Sequence, residues 1–247
     1  MLRLMAITAH PDDEAANFGG SLRIYAERGV ETCVLCLTPG QAATHRGGAK
    51  SDQELATMRR KELAASCQIL KVNRCIVLEY LDGQLYRQDL YRVVHDVTLQ
   101  VRDFRPQVIL AFGPEGGVTA HVDHSMASIF ATLAFHWSGR ENRFPDQLSG
   151  GRAAYRPQKL YYSSADAPLA DRPPVALPPI SAIIDIGPHL ETKIAAFKAH
   201  TSQSPLYPYV EKRLHERKNQ EKFHLAASVK PGVVEIETDL FAGLRED

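Results

Sequence analysis

The chain has 247 residues, 44% hydrophobic and 23% charged, the balance of an ordinary globular protein. Its 29 Lys and Arg match 29 Asp and Glu, which excludes the broad basic surface of a nucleic-acid or anionic-membrane binder. No run approaches the ~18 apolar residues of a transmembrane helix and no signal peptide is visible, so a cytoplasmic protein without a membrane anchor is expected.

The apolar run at residues 2–8 reads as a short buried strand, followed at once by Ala9-His10-Pro11-Asp12-Asp13-Glu14. A histidine and adjacent carboxylates just past a first strand stand where an open α/β sheet places its ligand crevice. Pro11 ends the strand, and Asp12, Asp13 and Glu14 fall in the first turn of a helix over residues 12–28 that Gly29 closes. Residues 30–38 form a second strand. It contains Cys33-Val34-Leu35-Cys36, but alternation puts the two thiols on opposite faces, so buried free cysteines are expected rather than a metal clip. The loop 39–50, with Gly40 and His45, opens onto the same crevice. A helix over 53–71, capped by Ser51 or Asp52, leads to a strand at 75–79 and to Asp82-Gly83, either a contact for substrate hydroxyls or a routine turn. A helix at 89–104 and a strand at 107–112 complete the repeated βα pattern of a parallel sheet.

After the glycine-rich loop 113–117 comes His121-Val122-Asp123-His124. Histidines three apart share a helix face, and with the first cluster they make a candidate metal site of imidazoles and carboxylates. Asp123 is read as a helix cap, the alternative being an acceptor that orients one histidine. The polar stretch 137–156 reads as an excursion near the site, a lid or a solvated insertion. Strands are expected at 157–162 and 180–186, a proline-rich connector at 167–179, and helices at 188–200 and 211–222. The composition favours one domain over 1–247, with a core at 1–165 and a C-terminal part at 166–247 packed on it. The fold expected is α/β: a Rossmann-like, mostly parallel sheet with helices on both faces and a smaller C-terminal extension.

On these residues the chain resembles the LmbE-like, or PIG-L, family of metal-dependent N-deacetylases acting on N-acetylglucosaminyl compounds. Weaker support comes from Arg59-x-x-Glu62 and from Lys193 followed by His200-Thr201-Ser202-Gln203. The resemblance implies His10, Asp13 and His124 as metal ligands, Asp12 as general base and His121 as the donor to the oxyanion. Spacing alone does not separate Asp12 from Asp13. Arg59 matches a residue for a substrate hydroxyl or phosphate, with an ion pair to Glu62 as the plainer alternative. Relatives often place Glu after the glycine matching Gly40, where this chain has Gln41.

The chemistry fits the residues independently of the resemblance. Zinc on two histidines and a carboxylate lowers the pKa of a bound water to about 7, leaving a base and an oxyanion donor to complete amide hydrolysis. The expected activity is zinc-dependent deacetylation of a small N-acetylglucosamine-containing molecule, with a homo-oligomeric assembly. The alternatives are an amidase of a larger glucosaminyl thiol conjugate, a non-haem Fe(II) oxygenase using the same triad, and a binding module without turnover. The same ligands also suit Fe(II), Co(II) or Ni(II). Roles for His45 and His200 stay open, and the other histidines outside the two clusters read as ordinary surface or helix residues.

Overall fold

Alternation along the central strands sets the layers. In β1 (Arg3–Thr8), Leu4 and Ala6 face one core while Met5 and Ile7 face the other, all fully buried. In β2 (Glu31–Cys36), Val34 and Cys36 join the first core and Cys33 and Leu35 the second, so the two thiols do sit on opposite faces. Strands buried on both faces need apolar residues at every position, which is why these runs lack polar alternation. The computed structural model describes residues 1–166, 176–217, 219–230, 232 and 235–244. Most of the expected connector at 167–179, including Pro168, Pro173 and Pro174, lies outside the described residues.

Among the described residues, seven strands form one sheet in the order β3-β2-β1-β4-β5-β7-β6. Besides β1 and β2 these are β3 (Arg74–Val77), β4 (Val108–Phe112), β5 (Lys159–Ser163), β6 (Ala182–Asp185) and β7 (Gln220–Ser228). β1 to β5 pair in parallel, and β7 runs antiparallel between β5 and β6. The helices are α1 (Gly19–Glu27), α2 (Asp52–Ile69), α3 (Leu90–Phe104), α4 (Val122–Trp137), α5 (Leu190–Lys198) and α6 (Tyr207–Glu216). Side chains of α1, α2 and α5 fill the first core, and those of α3 and α4 the second, so both faces are covered. The mostly parallel α/β sheet expected from the sequence is therefore present. The chain reverses its winding between β1 and β4, and the loops after β1 and β4 meet there.

Local chemistry explains the boundaries. Ser51 accepts the Glu54 amide and Asp89 the Arg92 amide, capping α2 and α3. The first helix starts later than expected, as a π turn at Glu14–Phe18 that runs into α1, leaving Asp12 outside the helix at φ 113°. Residues 211–222 are not one helix: α6 spans Tyr207–Glu216 and β7 begins at Gln220. Cys33 and Cys36 are buried as expected, as is Cys67, while Cys75 is exposed on the edge strand β3.

The stretch 137–156 supplies nothing to the cavity and is no lid; it is a largely exposed excursion held by a few buried contacts. α4 carries the chain away from the switch point to the opposite end of the strands, about 24 Å for its 16 residues. There the buried Arg102 donates to the carbonyls of Ser138, Phe144, Arg140 and Arg143 and to Gln147 Oε1. Phe144 and Tyr155 pack into the second core.

His95 ties α3 to the same stretch. Its Nδ1 lies 2.9 Å from Asp96 and its Nε2 2.9 Å from Asp146. Burial opposes its charge, but the bonds to Asp146 and Asp96 hold it above the usual histidine value. A raised native pKa stabilises the fold below the unfolded value of about 6.5, and this is lost as pH rises through the native value. Wild type should therefore exceed His95→Gln in urea midpoint at pH 5.5, and the gap should close by pH 8.5. An equal gap at both pH values would remove the ionic link.

Candidate functional site

The loops after β1, β2, β3 and β4 meet around a cavity of about 410 Å³ lined by His10, Asp12, Asp13, Arg59, His121 and His124, among others. Asp13 is the centre of the arrangement. Its Oδ2 accepts the amides of Ala9 (3.2 Å) and His10 (2.8 Å) and lies 3.6 Å from His10 Nδ1, while Oδ1 is 3.2 Å from His124 Nε2. Burial disfavours its charge, but His124 and His10 hold its carboxyl well below the usual range.

Each histidine has its ring nitrogens assigned by partners behind it. His10 Nε2 lies 3.0 Å from Asp82 and 3.3 Å from Asp123, so Nδ1 is the nitrogen facing Asp13. Burial opposes a charge on His10, yet hydrogen bonds to Asp123, Asp13 and Asp82 keep its pKa well above normal. His124 Nδ1 is 3.2 Å from the Gly116 carbonyl, leaving Nε2 for the cavity, and its ring stacks on Phe112 with centroids 4.0 Å apart. Gly116 has φ 85° and no room for a Cβ, which would lie 2.7 Å from the His121 carbonyl. His121 is the N-cap of α4 and its Nδ1 accepts the Asp123 amide at 3.1 Å, so a neutral His121 carries its proton on Nε2. Burial, followed by the neighbouring His10 and His124, lowers its pKa.

Ligand atoms of His10, His121 and His124 lie within 4.8 Å of one another, as do those of His10, Asp82 and Asp123. In the second group Asp123 also accepts the amides of Gly83 (2.6 Å) and Leu85 (3.1 Å), and Asp82 that of Ala42 (2.9 Å). Those two carboxylates therefore orient His10 from behind, an arrangement familiar in metal sites. Asp123 is an acceptor rather than the helix cap expected. On the cavity side, imidazole lone pairs and an ionised carboxylate converge, and the surrounding carboxylates give the negative charge that a divalent ion would offset. The donor set fits a metal.

Asp12 sits beside this group. Burial raises its pKa to about 6 against the pull of Arg59. Arg59 is itself buried: its guanidinium donates to Asp12 Oδ2 (2.9 Å), to the Gly40 carbonyl (3.1 Å) and to the Pro11 carbonyl. Gly40 permits this approach, because a Cβ there would lie 2.2 Å from Arg59 Nη1. The ion pair with Glu62 does not form. Glu62 instead accepts from Thr201 Oγ1, the Ser202 amide and Ser202 Oγ at 2.6–2.8 Å, anchoring the His200-Thr201-Ser202-Gln203 segment.

Glu14 is a functional neighbour that the sequence left without a part. Its Oε2 accepts the Asp12 amide (2.9 Å), while Oε1 takes Ser66 Oγ (2.5 Å) and His200 Nε2 (2.7 Å). Glu14 and His200 are fully buried, and burial of Glu14 is outweighed by His200, which lowers the carboxyl's pKa. His45 contributes its carbonyl, which accepts from Gln203 Nε2 at 3.0 Å. His224, expected at the surface or on a helix, is buried in β7 with Nδ1 3.0 Å from the Pro179 carbonyl. Stretch 137–156 supplies no residue to the cavity.

Known proteins resemble this chain in sequence and in fold. The chain is 29% identical to the mycothiol S-conjugate amidase of Streptomyces coelicolor over 66% of its length and spans 60% of that protein. It is 26% identical to 1D-myo-inositol 2-acetamido-2-deoxy-alpha-D-glucopyranoside deacetylase 2 of Catenulispora acidiphila, covering 98% of this chain and 97% of the relative. Its fold matches the solved N,N'-diacetylchitobiose deacetylase of Pyrococcus horikoshii with a TM-score of 0.73 and 25% identity, over 90% of this chain and 83% of that one. The sequence model of PIG-L, GlcNAc-PI de-N-acetylase, matches residues 5–135, more than half of the chain and all of the His10 to His124 cluster, and the protein belongs to that family.

Proposed function

We propose that this protein is a zinc-dependent hydrolase that removes the acetyl group from a small N-acetylglucosamine-containing molecule. The observation that carries the reading is the set His10 Nδ1, Asp13 and His124 Nε2, each fixed from behind, beside Asp12 and His121. Two relatives named deacetylases support it. Zinc suits two imidazoles and one carboxylate with a position left open, and when bound it supplies polarisation of the acyl oxygen and an acidified water.

The protein's own groups do the rest. Asp12, held by Arg59, takes the proton of the attacking water and returns it to the departing amine nitrogen. A carboxyl at about 6 is ionised at neutral pH, yet more basic than a free aspartate. His121 donates Nε2–H to the developing oxyanion, worth about 3–4 kcal/mol for one donor in a dry site. Arg59 lines the cavity and also contacts a hydroxyl or phosphate of the substrate. The buried free thiols Cys33, Cys36 and Cys67 support a reducing, cytoplasmic setting.

A second reading, cleavage of a larger glucosaminyl amide, is favoured by the likeness to the S-conjugate amidase. An Fe(II) oxygenase would share the triad but has no use for Asp12 as a base. Amine release from free N-acetylglucosamine, diacetylchitobiose, inositol and malate conjugates and a glucosaminyl thiol S-conjugate tests the assignment. Release that a chelator abolishes and zinc restores is expected. Amine release only from an S-conjugate would select the second reading, and dioxygen-dependent product the oxygenase.

A further inference from the structure

The cavity does not end at the catalytic cluster. Its volume of about 410 Å³ falls in the range of sites that hold a whole drug-sized ligand, and α6 lines it together with the catalytic cluster. Two rows of side chains, each spaced by four, run along that helix into the cavity: Leu206, Val210 and Leu214, and beside them Tyr209, Arg213 and Arg217. Residues four apart lie on one face, so a ligand resting here touches an apolar ridge and a cationic ridge together.

The cationic ridge is ordered for recognition. Arg213 Nη1 donates to Tyr209 Oη at 3.2 Å, and its guanidinium lies over the Tyr209 ring 5.7 Å from the centroid. Arg217 Nη2 is held by the Ser164 carbonyl at 3.1 Å, while its Nε is buried with no hydrogen-bond partner. The nearby Asp166 carboxylate is engaged by Lys222 at 2.8 Å. The catalytic cluster brings negative charge to the same cavity, from Asp12, Asp13 and Asp82. An acetyl group is small, so most of the space beside α6 falls to whatever the sugar carries.

The geometry points to a substrate whose sugar is linked to an apolar body bearing a carboxylate or phosphate, the apolar part on Leu206, Val210 and Leu214 and the anion at Arg213 and Arg217. The sugar's identity rests on the deacetylase reading; the anionic subsite rests on α6. Guanidinium is suited to planar anions through paired donors.

The zinc-loaded full chain should be given phenyl and 4-carboxyphenyl N-acetylglucosaminides, together with N-acetylglucosamine 1-phosphate, which has charge but no apolar body. We expect kcat/KM at least about tenfold higher for the carboxyphenyl compound than for either other. Arg213→Gln and Arg217→Gln should each abolish that preference, and Lys212→Gln, on the exposed side of α6, should retain it. Calorimetric binding of the deacetylated phenyl and carboxyphenyl glucosaminides separates the two readings. Tighter binding of the charged one, lost in both arginine variants but without any turnover, would keep the subsite and overturn the deacetylase. Turnover or binding indifferent to the carboxylate, or a preference that survives both arginine variants, would overturn the subsite. So would a preference found only when the carboxylate is moved onto the N-acyl group.

Discussion

Asp12→Asn should bind its divalent ion in full and lose about 10²–10⁴ in kcat, the share a positioned general base supplies. The substitution is conservative in space. Asn Oδ1 still accepts from Arg59, so the side chain keeps its place and loses only its capacity to take a proton. Asp13→Ala should fail differently. It removes the carboxylate facing both His10 and His124 and leaves the Ala9 and His10 amides unpaired, so metal content should fall far below one per chain. Elemental analysis beside single-turnover kinetics distinguishes the two neighbours. Full turnover by Asp12→Asn would withdraw the base assignment, and a stoichiometric ion in Asp13→Ala would withdraw the ligand.

The second large effect concerns stability. Lys193 of α5 and Glu221 of β7 form an ion pair at 2.5 Å with both side chains almost wholly buried. Glu221 also accepts the amides of Gly20 and Ser21 at 2.8 Å each, tying the start of α1 to the C-terminal strands. Lys193→Met would strand that carboxylate without its cation, at a cost of about 3–5 kcal/mol. Adding Glu221→Gln to Lys193→Met removes the stranded charge and should recover a large part of the loss. Urea unfolding of the single and double variants reads both numbers. A loss under about 1 kcal/mol in the single variant would show the pair to be dispensable.

The βα half was legible because its strands are buried on both faces, and runs such as Val108–Phe112 carry no competing pattern. β7 was not, because it opens Gln220-Glu221-Lys222 and so continues the charged run of α6. The buried pairing of Glu221 with Lys193 and with the Gly20 and Ser21 amides explains a carboxylate there. His10, Asp12, Asp13, His121 and His124, the five candidates drawn from the two histidine motifs, are all found around one cavity. What holds them was hidden, because it depends on partners far apart in sequence. Asp82 reads as a turn residue until His10 is beside it, and Glu14 as a helix-start charge until His200, 186 positions on, reaches it. The lid reading of stretch 137–156 failed for the same reason: its polar composition gives no hint that Arg102 gathers its carbonyls away from the cavity.

Asp12 adopts φ 113°, a backbone conformation that side-chain-bearing residues rarely occupy and that costs on the order of 1–3 kcal/mol. Glu14 pins its amide and Arg59 its carboxylate, so the chain has spent two buried charged groups to keep a tense residue in place. Glycine would relax the same position without strain, but it would leave the buried Arg59 guanidinium without its carboxylate. Strain relief and loss of the ion pair thus pull in opposite directions at a single residue. Selection for heat resistance alone therefore gives no drift toward glycine there, and the residue that carries the reaction is also held by the fold.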